Sequence, residues 1–341
     1  MEKSQKLITF VIPAFNSAPF LHYAVDSLTS FGNQIEVLII DDGSKDDTGI
    51  IADDYARTYP FIRAIHQPNG GHGEGINHGL QEAKGLYFKV LDSDDWVEEN
   101  ALEKLLSAIE RDQGSVDLYL TNYVYWQGRD HRGQVIDYRY LFKRHRTSGS
   151  WKDIHAFRYR SNITLHSAMY KTEILRKSGV VCPKHVSYED NYFVYAPMPF
   201  VRKLAYVDAD LYQYLIGREG QSMENATCIR KYKDFITDGE KIFDAADLAK
   251  MRWKNHSLFK AMYHHLILNF VMVPLFARLN GTPEAKEALK NFWVYCKKGN
   301  PRLYWFIRLH FAVISLTMPG KAGIKAVKWD YKFAHKLVKF N

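Results

Sequence analysis

Four short apolar runs recur through the first 110 residues, at 7–12, 35–40, 62–65 and 86–91. Between them, residues 19–31, 47–58 and 73–84 carry apolar side chains at helical spacing, and 100–110 repeats that pattern after the fourth run. Apolar runs of this length without alternation suit strands buried on both faces. Strands alternating with helices form right-handed βαβ units, and a chain built that way folds as an open, mostly parallel sheet flanked by helices. Ligands of such sheets bind beyond the carboxyl ends of the strands. The residues that follow each run are therefore the ones to inspect.

Beyond residue 115 the pattern loosens. Residues 117–126, 163–170 and 203–207 read as strands, 129–150 as a charged, loop-rich stretch, and 188–196 as a short helix stopped by Pro197 and Pro199. From about Cys228 the periodicity is helical, over 231–252, 258–279, 283–298, 302–317 and 321–340. The expectation is an α/β domain over 1–225 and a helical region over 226–341. A content of 46% hydrophobic and 25% charged residues excludes a disordered or fibrous chain. The three cysteines, Cys182, Cys228 and Cys296, are far apart and odd in number, which suggests neither a zinc site nor a disulfide framework and favours a reducing compartment. Residues 1–6 are polar and the run that follows is interrupted by Pro13, so no secretory signal is expected. The apolar stretches 266–277 and 311–318 fall short of the ~20 residues that span a bilayer.

Each of the first four strands runs into a polar cluster: Pro13-Ala14-Phe15-Asn16, Asp41-Asp42-Gly43-Ser44, Gln67-Pro68-Asn69-Gly70-Gly71-His72-Gly73 and Asp92-Ser93-Asp94-Asp95. A lone Asp-Asp-Gly-Ser is ordinarily a turn with a helix cap. The fourth cluster is harder to explain that way. Three carboxylates within four residues repel one another unless a cation or hydrogen-bond donors compensate, and hard oxygen ligands suit Mg²⁺ or Mn²⁺ carrying phosphates. Together the four clusters describe an acid-lined cleft that fits a metal-bridged diphosphate.

The segment ITFVIPAFNSAPFLHYAVDSL, followed by EVLIIDDGSKDDT and QPNGGHGEGINHGLQEAKGLYFKVLDSDDW, resembles the inverting family 2 glycosyltransferases with the GT-A fold. The likeness covers roughly residues 7–110, with weaker matches to about 223. It implies a nucleotide-sugar donor, a divalent metal at the DxD motif, and a single displacement that inverts the anomeric carbon. By that resemblance Pro13, Ala14 and Phe15 line the nucleoside pocket, Asp42 with Asp41 beside it bonds the base, and Asn69 and Gly71 flank base and ribose. A carboxylate accepting from a uracil N–H makes a UDP-sugar the first choice. Asp94 would bind the metal, with Asp92 and Ser93 facing the ribose or donor sugar and Asp95 nearby; which of Asp92, Asp94 and Asp95 touches the ion is left open. Where many members have Ala-Arg-Asn, this chain has Gly75-Ile76-Asn77, and His72 is the candidate to replace the missing arginine. The segment SYEDNYF at 187–193 resembles the family's downstream acidic pair, making Asp190 the general base and Glu189 its partner. The segment YQYLIGREGQSM at 212–223 resembles a mobile stretch in which Arg218, with Ser222 beside it, would approach the diphosphate. Trp96 would stack on a sugar or belong to the core.

Charge divides the chain. Residues 1–225 hold 25 Lys and Arg against 30 Asp and Glu, and residues 226–341 hold 21 against 8. Lys321, Lys325, Lys328, Lys332, Lys336 and Lys339 fall within roughly an 80° arc at ~100° per residue. Beside that stripe lies a broad apolar face containing Ile324, Val327, Tyr331 and Val338, the pattern of an interfacial membrane helix. A solvated surface helix packed on the catalytic domain is the rival reading, and nucleic-acid binding is disfavoured by the acidic first half.

The resulting expectation is a metal-dependent inverting glycosyltransferase using Mn²⁺ or Mg²⁺, peripheral on the cytoplasmic face of the membrane, acting on a glycan or polyprenyl-linked acceptor in cell-surface polysaccharide synthesis. A nucleotidyltransferase would need a Gly/Arg/Lys-rich nucleotide loop near the start that is not present. An inactive sugar-nucleotide-binding or membrane scaffold is the alternative outside the enzymes. The sequence leaves the sugar, the linkage and any self-association open.

Overall fold

The computed structural model describes residues 6–128, 130–159, 161–217 and 224–317. The chain divides into two compact units, one of Met1–Ala156 with Ile163–Ile216, the other of Phe157–Asn162 with Gly217–Asn341. The first carries a ten-stranded sheet: β1 (Ile8–Ala14), β2 (Ile35–Asp41), β3 (Ile62–His66), β4 (Tyr87–Val90), β5 (Trp96–Val97), β6 (Leu118–Gln127), β7 (His131–Ile136), β8 (Ser148–Gly149), β9 (Ala168–Lys171) and β10 (Leu204–Ile216). Their order is β3-β2-β1-β4-β9-β6-β10-β5, with β7 paired to β6 and β8 to β10.

The expected βαβ units form the first half of the sheet. β1 pairs in parallel with β2 and β4, and β2 with β3. Every residue of β1 and β2 is buried, which is why their sequences lack alternation. The helices between them are Leu21–Asp26, Thr48–Thr58 and His72–Glu82. After β4 the helix Glu99–Asp112 is started by Glu98, whose side chain accepts from the N–H groups of Asn100 and Ala101.

Beyond β4 the sheet is mixed. β9 runs antiparallel to both β4 and β6, whereas β6 and β10 are parallel. The stretch 129–150, expected as loop, contains β7. Its first four residues are exposed, so it has no apolar signal. The strand expected at 163–170 is confined to β9, and the one expected at 203–207 continues to Ile216. Register shifts around Asp210 break its apolar pattern without ending its pairing.

The second unit is helical, as expected from its periodicity. His256–Asn280 packs against Tyr232–Asp244, Leu248–Lys254 and Pro283–Gly299. The helices expected at 231–252 and 302–317 are each broken, the latter into Pro301–Arg308 and Phe311–Thr317. Residues Phe157–Asn162 join this unit through His264, whose Nε2 is 2.8 Å from the Ser161 carbonyl and whose ring stacks on Phe157. Among the described residues, His256–Asn280 is long and apolar enough to cross a membrane, but 61% of its most apolar window is buried inside the protein, as in a core helix. The lysine-striped segment 321–340 lies outside the described residues.

Candidate active site

The ends of β1, β2 and β4 are adjacent because the strands are parallel neighbours, and short polar bonds fix them together. The side-chain oxygen of Asn16 accepts from the Lys45 N–H at 2.8 Å, and the Ser17 N–H donates to Thr48 Oγ1 at 2.7 Å. The hydroxyls of Ser17 and Ser93 are 2.7 Å apart, joining the end of β1 to the acidic motif. Pro13 and Ala14 are buried within β1, and Phe15 is 48% exposed at its end.

Asp42 organises the loop after β3. It is 2% exposed; its Oδ1 accepts from the Gly70 N–H and from Gln67 Nε2 at 2.8 and 2.7 Å, and its Oδ2 from the Gly71 N–H at 2.8 Å. Asn69, exposed, donates from Nδ2 to the Asp42 carbonyl at 3.0 Å. Asp41 accepts from the Ser44 N–H at 3.0 Å and sits 2.9 Å from His66 Nδ1. Burial works against the charge of Asp41, but the bonds from Ser44 and His66 outweigh it and hold the carboxyl below its usual range. Gly71 begins the helix His72–Glu82 with φ 86°, a left-handed conformation that favours glycine. In the first turn of that helix, a Cβ on Gly73 would fall 2.8 Å from Cys182 Cβ and 2.9 Å from Glu189 Cγ. The glycines thus let the helix start approach the segment that carries the acidic pair.

At the centre His72 bridges two carboxylates. Its Nδ1 is 2.7 Å from Glu189 Oε1 and its Nε2 is 2.9 Å from Asp92 Oδ1. Burial disfavours a charged ring, yet the bonds to Asp92 and Glu189 prevail and raise its pKa well above the ordinary value, which favours the imidazolium form. Burial likewise opposes ionisation of Asp92, and the contacts with His166 and His72 hold it far below the usual carboxylate range. Asp95 goes the other way. It is fully buried, and burial together with the charge of Asp92 pushes its pKa well up despite the Leu215 N–H at 2.8 Å and the Tyr212 O–H at 2.7 Å. Neighbouring carboxylates driven apart in this way are a mark of functional sites.

Among the described residues, the ligand atoms of Asp92, Asp95 and His166 all lie within 4.8 Å of one another. Two carboxylates and an imidazole fit a divalent cation. Asp94, half-buried in the turn beside Ser93, does not belong to that group, so the three aspartates of the motif contribute two of its members. His166 escapes sequence reasoning because it lies far along the chain from the motif and carries no spacing signal. Tyr212, which donates to Asp95 and lies 3.1 Å from Asp92 Oδ2, is hidden in the same way. The fully buried Lys89 also joins the site, donating to three backbone carbonyls beside His166.

Glu189 is 2% exposed and precedes the short helix Asp190–Tyr195. Burial, then the charge of Glu189, pushes the Asp190 carboxyl up to about 7, with His72 partly offsetting them. A carboxyl poised there can take a proton near neutrality. The structure therefore brings Asp92, His72 and Glu189 into one bonded chain, with Asp190 next to it. Trp96 packs on Trp126, ring centroids 5.4 Å apart. Arg218 and Ser222 fall outside the described residues.

Comparison with known proteins gives a consistent answer. Residues 9–179 match the model of glycosyl transferase family 2. The chain is 27% identical over 213 residues to the uncharacterized glycosyltransferase EpsJ of Bacillus subtilis (strain 168), an alignment that covers 61% of this chain and 60% of EpsJ. It is 34% identical over 139 residues to a chondroitin synthase of Escherichia coli, covering 40% of this chain and 20% of that protein. The chain thus spans less than two thirds of EpsJ and about a fifth of the chondroitin synthase. A crystal structure of S. aureus TarS 1–349 in complex with UDP-GlcNAc superposes with a TM-score of 0.65 at 20% identity, covering 96% of this chain and 92% of that one. That likeness is one of fold, a GT-A sheet with a helical extension. With half of its length matching the family model, the chain belongs to glycosyl transferase family 2.

Proposed function

We propose that this glycosyltransferase moves a hexosyl or N-acetylhexosaminyl group from a UDP-sugar to a hydroxyl of a glycan or polyprenyl-linked acceptor, with inversion, in cell-surface polysaccharide synthesis. The observation that carries this reading is the Asp190 carboxyl at about 7 beside a Glu189 fixed by His72. Asp190 takes the acceptor's hydroxyl proton as the acceptor oxygen bonds to the anomeric carbon. The bond from that carbon to the diphosphate breaks on the opposite side, and its electron pair leaves with UDP. A Mn²⁺ or Mg²⁺ ion held by residues of the Asp92-Ser93-Asp94-Asp95 motif would supply charge neutralisation for the departing diphosphate.

The chain's own residues do the rest. Phe15 offers an exposed ring to the nucleoside, and Asp42 holds Asn69 and Gly71 where base and ribose would lie. Asp41, kept ionised, is available to the base edge. Both nitrogens of His72 are engaged by carboxylates, so it replaces the absent arginine as a positive charge among the acids rather than as a donor aimed at the cleft. Arg218 would close on the diphosphate. The UDP-GlcNAc bound to TarS is consistent with a UDP donor here.

Residues 1–225 would form the catalytic domain and 226–341 a membrane-peripheral region, its lysine stripe at 321–339 on anionic lipid of the cytoplasmic face. The test is a screen of UDP-, GDP- and dTDP-sugars for Mn²⁺-dependent nucleotide release. Turnover with a UDP-sugar is expected, and turnover confined to GDP- or dTDP-sugars overturns the choice of donor.

A further inference from the structure

His166 belongs to none of the strand-end clusters, yet the fold builds a place for it. Its ring stacks on Tyr214 at 4.3 Å and 23°, and meets the ring of Tyr212 edge-on at 4.8 Å. The side chain is 15% exposed, and its Nε2 faces Asp92 Oδ2 at 3.8 Å. That distance is too long for a hydrogen bond. Two donors each roughly 2.2 Å from one cation stand roughly 3 to 4.4 Å apart, which includes it.

The backbone beneath the ring is held from inside the protein. The Lys89 ammonium, 1% exposed, donates to the carbonyls of Leu165, His166 and Ala168 at 2.8, 2.6 and 3.1 Å. Three such bonds require the ammonium form, which alone has three N–H donors, and burial works against that form, bringing the Lys89 pKa down to about 7. Ser167, fully buried, ties the same turn: its hydroxyl donates to the Thr164 carbonyl at 3.0 Å and accepts from the Thr164 N–H at 3.1 Å. A buried charge placed on backbone carbonyls costs desolvation, and what it achieves here is a fixed direction for one imidazole.

We infer that His166 is a nitrogen ligand, with Asp92, of the divalent cation at this site, that Lys89 is the residue that positions it, and that the imidazole tunes the site toward Mn²⁺ over Mg²⁺. Imidazole favours transition metals, whereas carboxylate and water suit Mg²⁺ equally well. The inference rests on the reading that the acidic motif takes a cation, and it adds a ligand from a segment far from that motif.

The test uses the full chain, Mn²⁺ and UDP. Mn²⁺ binding is followed by the paramagnetic resonance of the free ion, Mg²⁺ by competition, and coordinated nitrogen by the ¹⁴N modulation of bound Mn²⁺. His166→Phe keeps the stacked ring and removes the nitrogen. It is expected to weaken Mn²⁺ binding about ten-fold or more, to change Mg²⁺ binding much less, and to abolish the ¹⁴N modulation. Lys89→Met is expected to weaken Mn²⁺ in the same direction by a smaller factor. Unchanged Mn²⁺ affinity in His166→Phe, or ¹⁴N modulation that persists in it, overturns the inference while leaving a cation site in place. If the unmodified chain with UDP binds no Mn²⁺, the cation reading itself falls, and the inference with it.

Discussion

Glu189 Oε1 and His72 Nδ1 lie 2.7 Å apart across 117 residues of sequence, and the opposite ring nitrogen is bonded to Asp92. One imidazolium thus ties the acid that precedes Asp190 to the first acid of the metal motif. Replacing it by Gln or Leu removes a side chain that bonds both.

His72→Leu leaves the buried Glu189 carboxylate without that partner. The expected cost is about 1–3 kcal/mol in urea unfolding, with activity falling at least ten-fold. Because the folded-state pKa of His72 is raised, its stabilisation is fully present below about 6.5 and is lost as pH rises through the higher folded value. The stability gap between the unmodified chain and His72→Leu should therefore narrow toward alkaline pH. A gap that widens there contradicts the bridge.

The Asp190 carboxyl at about 7 sets a pH profile. A base must be ionised to act, so kcat/KM should rise about ten-fold per pH unit below 7 and level off above it. A raised carboxyl pKa also means that the folded state holds a proton the unfolded state has released, so Asp190 destabilises as pH rises from its ordinary value toward 7. Asp190→Asn should accordingly unfold at a higher temperature than the unmodified chain at pH 8, and at nearly the same temperature at pH 4. A flat rate profile between pH 5.5 and 8 counts against Asp190 as base.

Gly73 lies where helix His72–Glu82 meets the acidic pair, and a Cβ there would stand 2.9 Å from Glu189 Cγ and 2.8 Å from Cys182 Cβ. Gly73→Ala should cost about 1–3 kcal/mol by overpacking and lower kcat more than it raises KM for the donor. An alanine variant with unchanged kcat shows that Glu189 can shift without consequence.

The lysine stripe at 321–339 predicts a lipid effect. Removing residues 318–341 leaves every described helix in place, and should abolish co-sedimentation with vesicles rich in anionic lipid while sparing soluble-donor hydrolysis. Each lysine near such a surface is worth about 1 kcal/mol, so 0.5 M salt should mimic the deletion. Vesicle binding that survives both places the lipid contact elsewhere in the chain.

The half of the site built on β1 to β4 was legible because buried parallel strands leave unbroken apolar runs, and whatever follows each run must sit at the same edge. Asp42 was visible as a site residue, but its work on the loop N–H groups of Gly70 and Gly71 was not, since those bonds depend on how the β3 loop folds back. His166, Lys89 and Tyr212 were not legible at all. His166 arrives on a turn ahead of the antiparallel β9, Tyr212 on a strand whose register shifts hide its length, and Lys89 reads as an ordinary charge inside an apolar run. The breaks in the helices of the second unit were missed because apolar spacing continues across them.

The most direct test of the central claim compares the unmodified chain with Asp190→Asn, measuring turnover of the preferred UDP-sugar with Mn²⁺ and UDP binding by calorimetry. The account predicts a loss of turnover of at least a hundred-fold with UDP affinity unchanged within about three-fold. Asp190→Asn that turns over at the unmodified rate, or an unmodified chain that binds UDP and never transfers, would contradict it.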